Sequence, residues 1–348
     1  MTEFILVNTS GDCWNNPEEF QQKLNQHPLG KPLILYMRHE GPSLELLGVT
    51  TVINDWLRNT KQSPDTVQLL SWSNPVEFVP YQRVKYSKMS HFFRMVREYW
   101  QHTEPTLEQQ LQYQQPFGIF IGRLTMSRAA ILYKLMSANT DSISGQIFAS
   151  LMQHTHPFPW KCLDRGTYDL EDISIWLPSD EQVAMFDWFN SSPISSVDSK
   201  SVVDQYDNPT SWISTNTSIL QHYNRFAVEI VCETCTLGNT FFPTEKTTRP
   251  LMAAKPILVY GPQYYLARLR SMGFRTYSEL WDESYDLYQG PARWNLMRDS
   301  MNRLLDCSRS DQHEVLTQAH EIAMHNRQHL SKICNYQVDL TTHDYTKI

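Results

Sequence analysis

Residues 226–261, FAVEIVCETCTLGNTFFPTEKTTRPLMAAKPILVYG, decide how the chain is read. Ala227 to Val231 is a short, mostly apolar run, the pattern of a buried strand. Pro256 to Tyr260 is a second such run, ended by the turn pair Gly261-Pro262. Between them Thr244, Glu245 and Lys246 open a helix. Thr244 suits the N-cap, where its hydroxyl can accept one of the N–H groups that have no partner inside the helix. Strand, helix and strand in that order make one βαβ unit.

The start of this helix carries the chemistry. Its free N–H groups and about half a positive charge suit an anion. A lysine in the first turn opposes the helix dipole, an arrangement that makes sense if a phosphate sits above Lys246. Glu245 beside it could then accept hydrogen bonds from a ribose. The plainer alternative is a solvated first turn with an ordinary Glu–Lys pair.

Further strands flank this unit. Residues 4–8 (FILVN) and 32–37 (PLILYM) read as buried strands separated by a helix over 16–25. The second strand runs into Arg38-His39-Glu40. Ligands of open α/β sheets gather at the carboxyl ends of strands, so His39 and Glu40 are candidates for a general base that deprotonates an acceptor hydroxyl. The alternative is a loop whose His and Glu cap the next helix. A helix over 44–58 and a strand over 66–74 follow, with Asn74 and Glu77 as second-choice cleft residues. Residues 81–99 are basic and aromatic, either a solvated face or a surface for an anionic acceptor.

The Gln-rich run 101–115 marks a domain junction. A strand (117–121) then leads through Gly122-Arg123 into a helix whose Ala130, Ile131, Leu132 and Leu135 can face a core. Arg128 in its first turn, or Arg123 before it, again places a cation where a diphosphate could lie. Residues 141–222 hold a helix over 179–189 and a Ser-rich linker. Asp169 to Asp172 read as a turn and His154-Thr155-His156 as a loop. After the central unit, 263–272 read as a helix, 273–277 (GFRTY) as a short strand, and 281–286 (WDESYD) as an acidic loop. Two amphipathic helices, over 293–305 and 311–333, close the chain. His320, His325 and His329 on the last of them are read as packed or solvated rather than as metal ligands.

With 348 residues the chain has room for two domains of ordinary size. The net charge of −7 argues against bulk neutralisation of nucleic-acid phosphates, while leaving room for a local basic cleft. No run approaches the ~20 apolar residues of a membrane span, so a soluble, cytoplasmic protein is expected. The six cysteines are scattered, and the single Cys232-x-x-Cys235 has no second ligand pair nearby. No strand is followed by G-x-G-x-x-G, which disfavours a dinucleotide-dependent oxidoreductase.

The order E-T (233–234), P-T-E-K (243–246) and K-P-I-L-V-Y-G (255–261) resembles the donor-binding half of GT-B glycosyltransferases, nearest to the α1,3-fucosyltransferases and glycosyltransferase-like proteins of viruses and phages. The likeness spans roughly residues 117–290 and is tightest over 223–286. It departs from the fucosyltransferases at Cys235, where they carry Ser, and in a longer loop before T-E-K. The resemblance implies an α/β fold of two Rossmann-like domains facing across a cleft: an acceptor-side domain over 1–112, a nucleotide-sugar-binding domain over 113–305, and a C-terminal helix and tail over 306–348 packing back on the first. It further implies that Glu245 and Lys246 hold the ribose and diphosphate of a UDP- or GDP-linked sugar, that Arg128 contacts the diphosphate, and that Glu233, Thr244 and Gly261 complete the donor site. Transfer would be inverting and metal-independent, with no other cofactor. The acceptor would be a glycan or, as second choice, a hydroxymethylated base of phage DNA. The rival reading is a non-catalytic nucleotide- or glycan-binding protein that kept the fold.

Overall fold

The computed structural model describes residues 3–8, 17–38, 49–71, 113–121, 125–137, 147–151, 173–191, 222–233, 236–238 and 241–334. They form an α/β structure with two parallel sheets.

The first sheet contains β1 (Glu3–Asn8), β2 (Leu33–Arg38) and β3 (Val67–Ser71), in that spatial order, all parallel. Helices α1 (Pro17–Gln26) and α2 (Val49–Thr60) make the crossovers that parallel pairing requires. Val49, Ile53, Trp56 and Leu57 of α2 recur at helical spacing and are buried, as are Phe20 and Leu24 of α1. The expected helix over 44–58 is thus found from Val49 on.

The second sheet has the order β5-β4-β6-β7, again all parallel, from β4 (Gln115–Ile121), β5 (Ile147–Leu151), β6 (Phe226–Cys232) and β7 (Ile257–Tyr260). Every residue of β6 and β7 is buried, which explains why both read as largely apolar runs. Helix α3 (Met126–Met136) follows β4, and its Ala130, Ile131, Leu132 and Leu135 face the core as expected. Helix α4 (Ser179–Ser191) packs near it, with Tyr133 and Trp188 in edge-to-face contact. Close approach within the sheet depends on Gly118 of β4: a Cβ there would lie 2.3 Å from the Phe226 ring.

Helix α5 (Glu245–Met252) connects β6 to β7, and α6 (Tyr265–Ser271) follows β7. Helices α7 (Gly290–Asp306) and α8 (Arg309–Cys334) close the described chain. Trp294, Met297 and Met301 of α7 join Leu316, Ala319, Ile322 and Leu330 of α8 in the core of the second sheet. Helix α8 packs on α5, and Arg327 donates a hydrogen bond to the Met252 carbonyl. The described part of the C-terminal helix therefore sits with the second sheet; residues 335–348 lie outside the described residues.

One expected strand is absent. Residues 273–277 form an irregular segment, because their backbone partner is a side chain: the Asn326 carboxamide of α8 accepts from Arg275 N and donates to Arg275 O, both at 2.8 Å. That amide satisfies the two groups a neighbouring strand would otherwise satisfy.

Candidate functional site at the start of helix α5

The chain leaves β4 toward β5 on one side and returns to β6 on the other, so the β4/β6 boundary is the switch point of the second sheet. In open parallel sheets the crevice at the carboxyl ends of such a strand pair receives ligands. Helices α3 and α5 start from these two strand ends, and their first turns therefore border the crevice.

Both starts are capped, the second at the Thr244 read from the sequence. The Thr125 hydroxyl accepts from Arg128 N and the Thr244 hydroxyl accepts from Lys246 N. Beneath the second cap sits Glu233, at the end of β6. Its Oε1 accepts from Thr244 N (3.1 Å), the Thr247 hydroxyl (2.5 Å) and the Tyr265 hydroxyl (2.8 Å), and its Oε2 accepts from the Thr244 hydroxyl (2.6 Å). This buried carboxylate fixes the entry of α5 and ties it to α6.

Arg128 is also buried. One of its guanidinium nitrogens donates to the carbonyls of Cys232 (3.1 Å) and Glu233 (2.6 Å), so it pins the end of β6 to α3. The residue expected to contact a diphosphate thus shapes the switch point from below. Gly261, just beyond β7, is buried too, and a Cβ there would come within 3.2 Å of the Tyr265 ring. Its smallness makes room for the tyrosine that reaches Glu233 and Thr247.

Glu245 and Lys246 keep partial exposure, in a helix whose six following residues are all buried. They form a direct ion pair at 2.5 Å. Burial works against charge on Glu245, but Lys246 and Arg249 outweigh it and hold its carboxyl down at about 2. The first turn therefore presents a carboxylate and an ammonium together, at the positive end of the capped helix.

Behind this turn lies a charged cluster that the sequence reading missed. Glu229 of β6, Arg249 of α5, Lys255 before β7 and Tyr223 are all buried. Burial pushes the Glu229 carboxyl up to about 7, against the pull of Arg249, the Tyr223 hydroxyl and Lys255. Burial likewise lowers Lys255 to about 7, opposed by Glu229, and its ammonium donates to the Phe226 carbonyl at 2.8 Å. A signal was present: a carboxylate in the middle of FAVEIVC cannot be buried without partners. His320 of α8 stands near Lys255, and burial lowers its imidazole to about 4.

The other missed feature is the support of the neighbouring loop. Arg293 of α7 is fully buried and donates to the carbonyls of Val259, Pro262, Asp286 and Tyr288, and it pairs with the Asp286 carboxylate at 3.0 Å. Asp286 in turn accepts from Leu266 N and Ala267 N at the start of α6. What read as an acidic loop is a 3₁₀ turn (Ser284–Leu287) whose acid is a structural clamp.

The structure thus brings together Arg128, Glu233, Thr244, Glu245, Lys246 and, through Tyr265, Gly261. His39, Glu40, Asn74, Glu77, Arg123 and the basic run 81–99 lie outside the described residues. Cys232 is buried, and burial pushes its thiol up to about 12, which leaves it inert; Cys235 is outside the described residues. Among the described residues no group of three or more His, Cys, Asp or Glu could hold a metal ion, and no helix is long and apolar enough to cross a membrane. Comparisons of the chain with family models, with curated proteins and with solved structures found no match.

Proposed function

We propose that the chain is a glycosyltransferase that moves a sugar from a nucleoside-diphosphate sugar to an acceptor hydroxyl. The two parallel sheets would belong to the two facing domains of a GT-B architecture. One observation carries this reading: at the switch-point end of β6, a rigidly capped helix start presents a partly exposed Glu245–Lys246 pair at its positive end. The positive end of a helix and an ammonium suit a diphosphate, and an ionised carboxylate suits the two hydroxyls of a ribose. The pairing of the two side chains holds each in place for that task.

The chemistry follows from these roles. The acceptor oxygen attacks the anomeric carbon as the bond to the diphosphate oxygen breaks, and negative charge grows on the leaving group. Lys246 and the positive end of the α5 dipole stabilise that charge, with the buried Arg128 adding positive potential from beneath. A carboxylate or imidazole across the cleft takes the acceptor proton, the role assigned to Glu40 or His39.

A non-catalytic nucleotide- or glycan-binding protein is the second reading, favoured by the engagement of Glu233 and Arg128 in holding backbone. The test is a thermal-shift panel of UDP, GDP, CDP and dTDP with their common sugars. One nucleotide is expected to stabilise the chain by a few kcal/mol when present far above its Kd, and Lys246→Ala to abolish the shift. No shift with any of them sinks the donor site. A shift without sugar release to any acceptor leaves the binding protein.

A further inference from the structure

We propose that Tyr264 and Tyr288, with the exposed Leu287, form a stacking platform for a neutral sugar ring of the acceptor glycan; the word acceptor rests on the transferase reading above, the platform itself does not. The three side chains are 41%, 46% and 54% exposed in the order Tyr264, Tyr288, Leu287, within a segment that is otherwise densely tied. Tyr264 N donates to Asp286 O at 2.7 Å and the Gln263 amide donates to Leu287 O at 2.5 Å, so the two loops run side by side. Arg293 holds both from below through the carbonyls of Pro262, Asp286 and Tyr288. Tyr264 also sits in the left-handed region, at φ 62°, where a tyrosine is disfavoured. Strain of that kind persists where the surroundings impose it, and here it turns an aromatic ring outward beside Tyr265, whose hydroxyl reaches the Glu233–Thr247 clamp.

The chemistry of the patch selects its occupant. Residues 261–264 and 287–289, GPQY and LYQ, contain no charged side chain. A nucleic-acid backbone needs cations, whereas a glycan ring offers apolar C–H faces to an aromatic. The two amides here are spent on the scaffold: Gln289 bonds to Gly238 and Gln263, which joins the loop after β6 to this platform. A ligand stacked on Tyr264 would thus lie beside the proposed donor site rather than in it.

The experiment titrates the full chain with neutral oligosaccharides ending in galactose, N-acetylglucosamine, mannose or glucose, and with a duplex carrying 5-hydroxymethylcytosine. Variants are Tyr288→Ala and Tyr264→Gly; the latter removes the ring while relieving the positive φ, so folding is preserved. At least one oligosaccharide is expected to bind, each variant to weaken it about tenfold, and the nucleotide thermal shift to stay unchanged. Tyrosine-dependent glycan binding without any nucleotide shift keeps the platform and removes the transferase. The platform is overturned if no oligosaccharide binds, if binding ignores both variants, if the duplex alone binds, or if the variants weaken only the nucleotide.

Discussion

The loops after β6 and after β7 are built on one plan and end in opposite surfaces. Each is held by a buried carboxylate that receives N–H groups at the start of the next helix: Glu233 takes Thr244 N before α5, and Asp286, from the turn beyond α6, takes Leu266 N and Ala267 N in α6. The two are balanced differently. Glu233 is surrounded by the hydroxyls of Thr244, Thr247 and Tyr265, while Asp286 is paired with the buried Arg293. Above the first clamp stand the charged Glu245 and Lys246; above the second stand the uncharged Tyr264 and Tyr288. Rigid support below is therefore shared, and the side chains left at the surface decide what each loop can bind: an anion at one, a neutral ring at the other.

Removing the cation of the second clamp is the severest way to break this comparison. Arg293→Ala strands Asp286 as a buried charge and leaves four carbonyls without their donor; a loss of about 3–5 kcal/mol is expected in urea unfolding. Arg293→Lys should recover only part of it, because an ammonium lacks the planar fork that reaches these acceptors together. An unfolding midpoint close to wild type for Arg293→Ala would mean that the β7 loop does not depend on its clamp.

The charged surface of the first loop gives a pH test. The Glu245 carboxyl lies at about 2 in the folded chain against an ordinary value of 4.5, so folding favours its ionised form. That stabilisation is complete above pH 4.5 and is lost as pH falls through the folded value. Glu245→Gln should therefore cost up to roughly 3 kcal/mol at pH 7, a difference that shrinks steadily below pH 4.5. A pH-independent difference would show that the ion pair is not its source.

The smallest effect sharpens the comparison. Thr247→Val keeps the shape and removes one of the hydroxyls on Glu233, at an expected cost of about 1 kcal/mol by chemical denaturation. Because Thr244 and Tyr265 remain, the nucleotide shift should survive. A loss near that of Arg293→Ala would mean that the hydroxyl clamp is as brittle as the ionic one.

What the sequence determined by itself was local. Period and punctuation placed β6, α5 and β7 within a residue or two, because a strand buried on both faces is mostly apolar and a Thr-Glu-Lys start announces a capped helix. Helices α7 and α8 were legible for the same reason. Which polar groups are committed to the scaffold was not. Arg128 reads in sequence as a first-turn cation free to meet a phosphate, and its guanidinium bonds to a carbonyl 105 residues away; the resemblance makes Glu233 part of a donor site, and its carboxylate holds a helix start. The segment 273–277 reads as a strand, and one asparagine 51 residues further on takes the strand partner's place. Hydrogen-bond partners of that separation leave no periodic trace in a single chain, because they depend on which elements the packing sets side by side. Only the tertiary structure decided that Glu245 and Lys246, alone in α5, stay at the surface, and that a strained tyrosine faces outward on the adjoining loop.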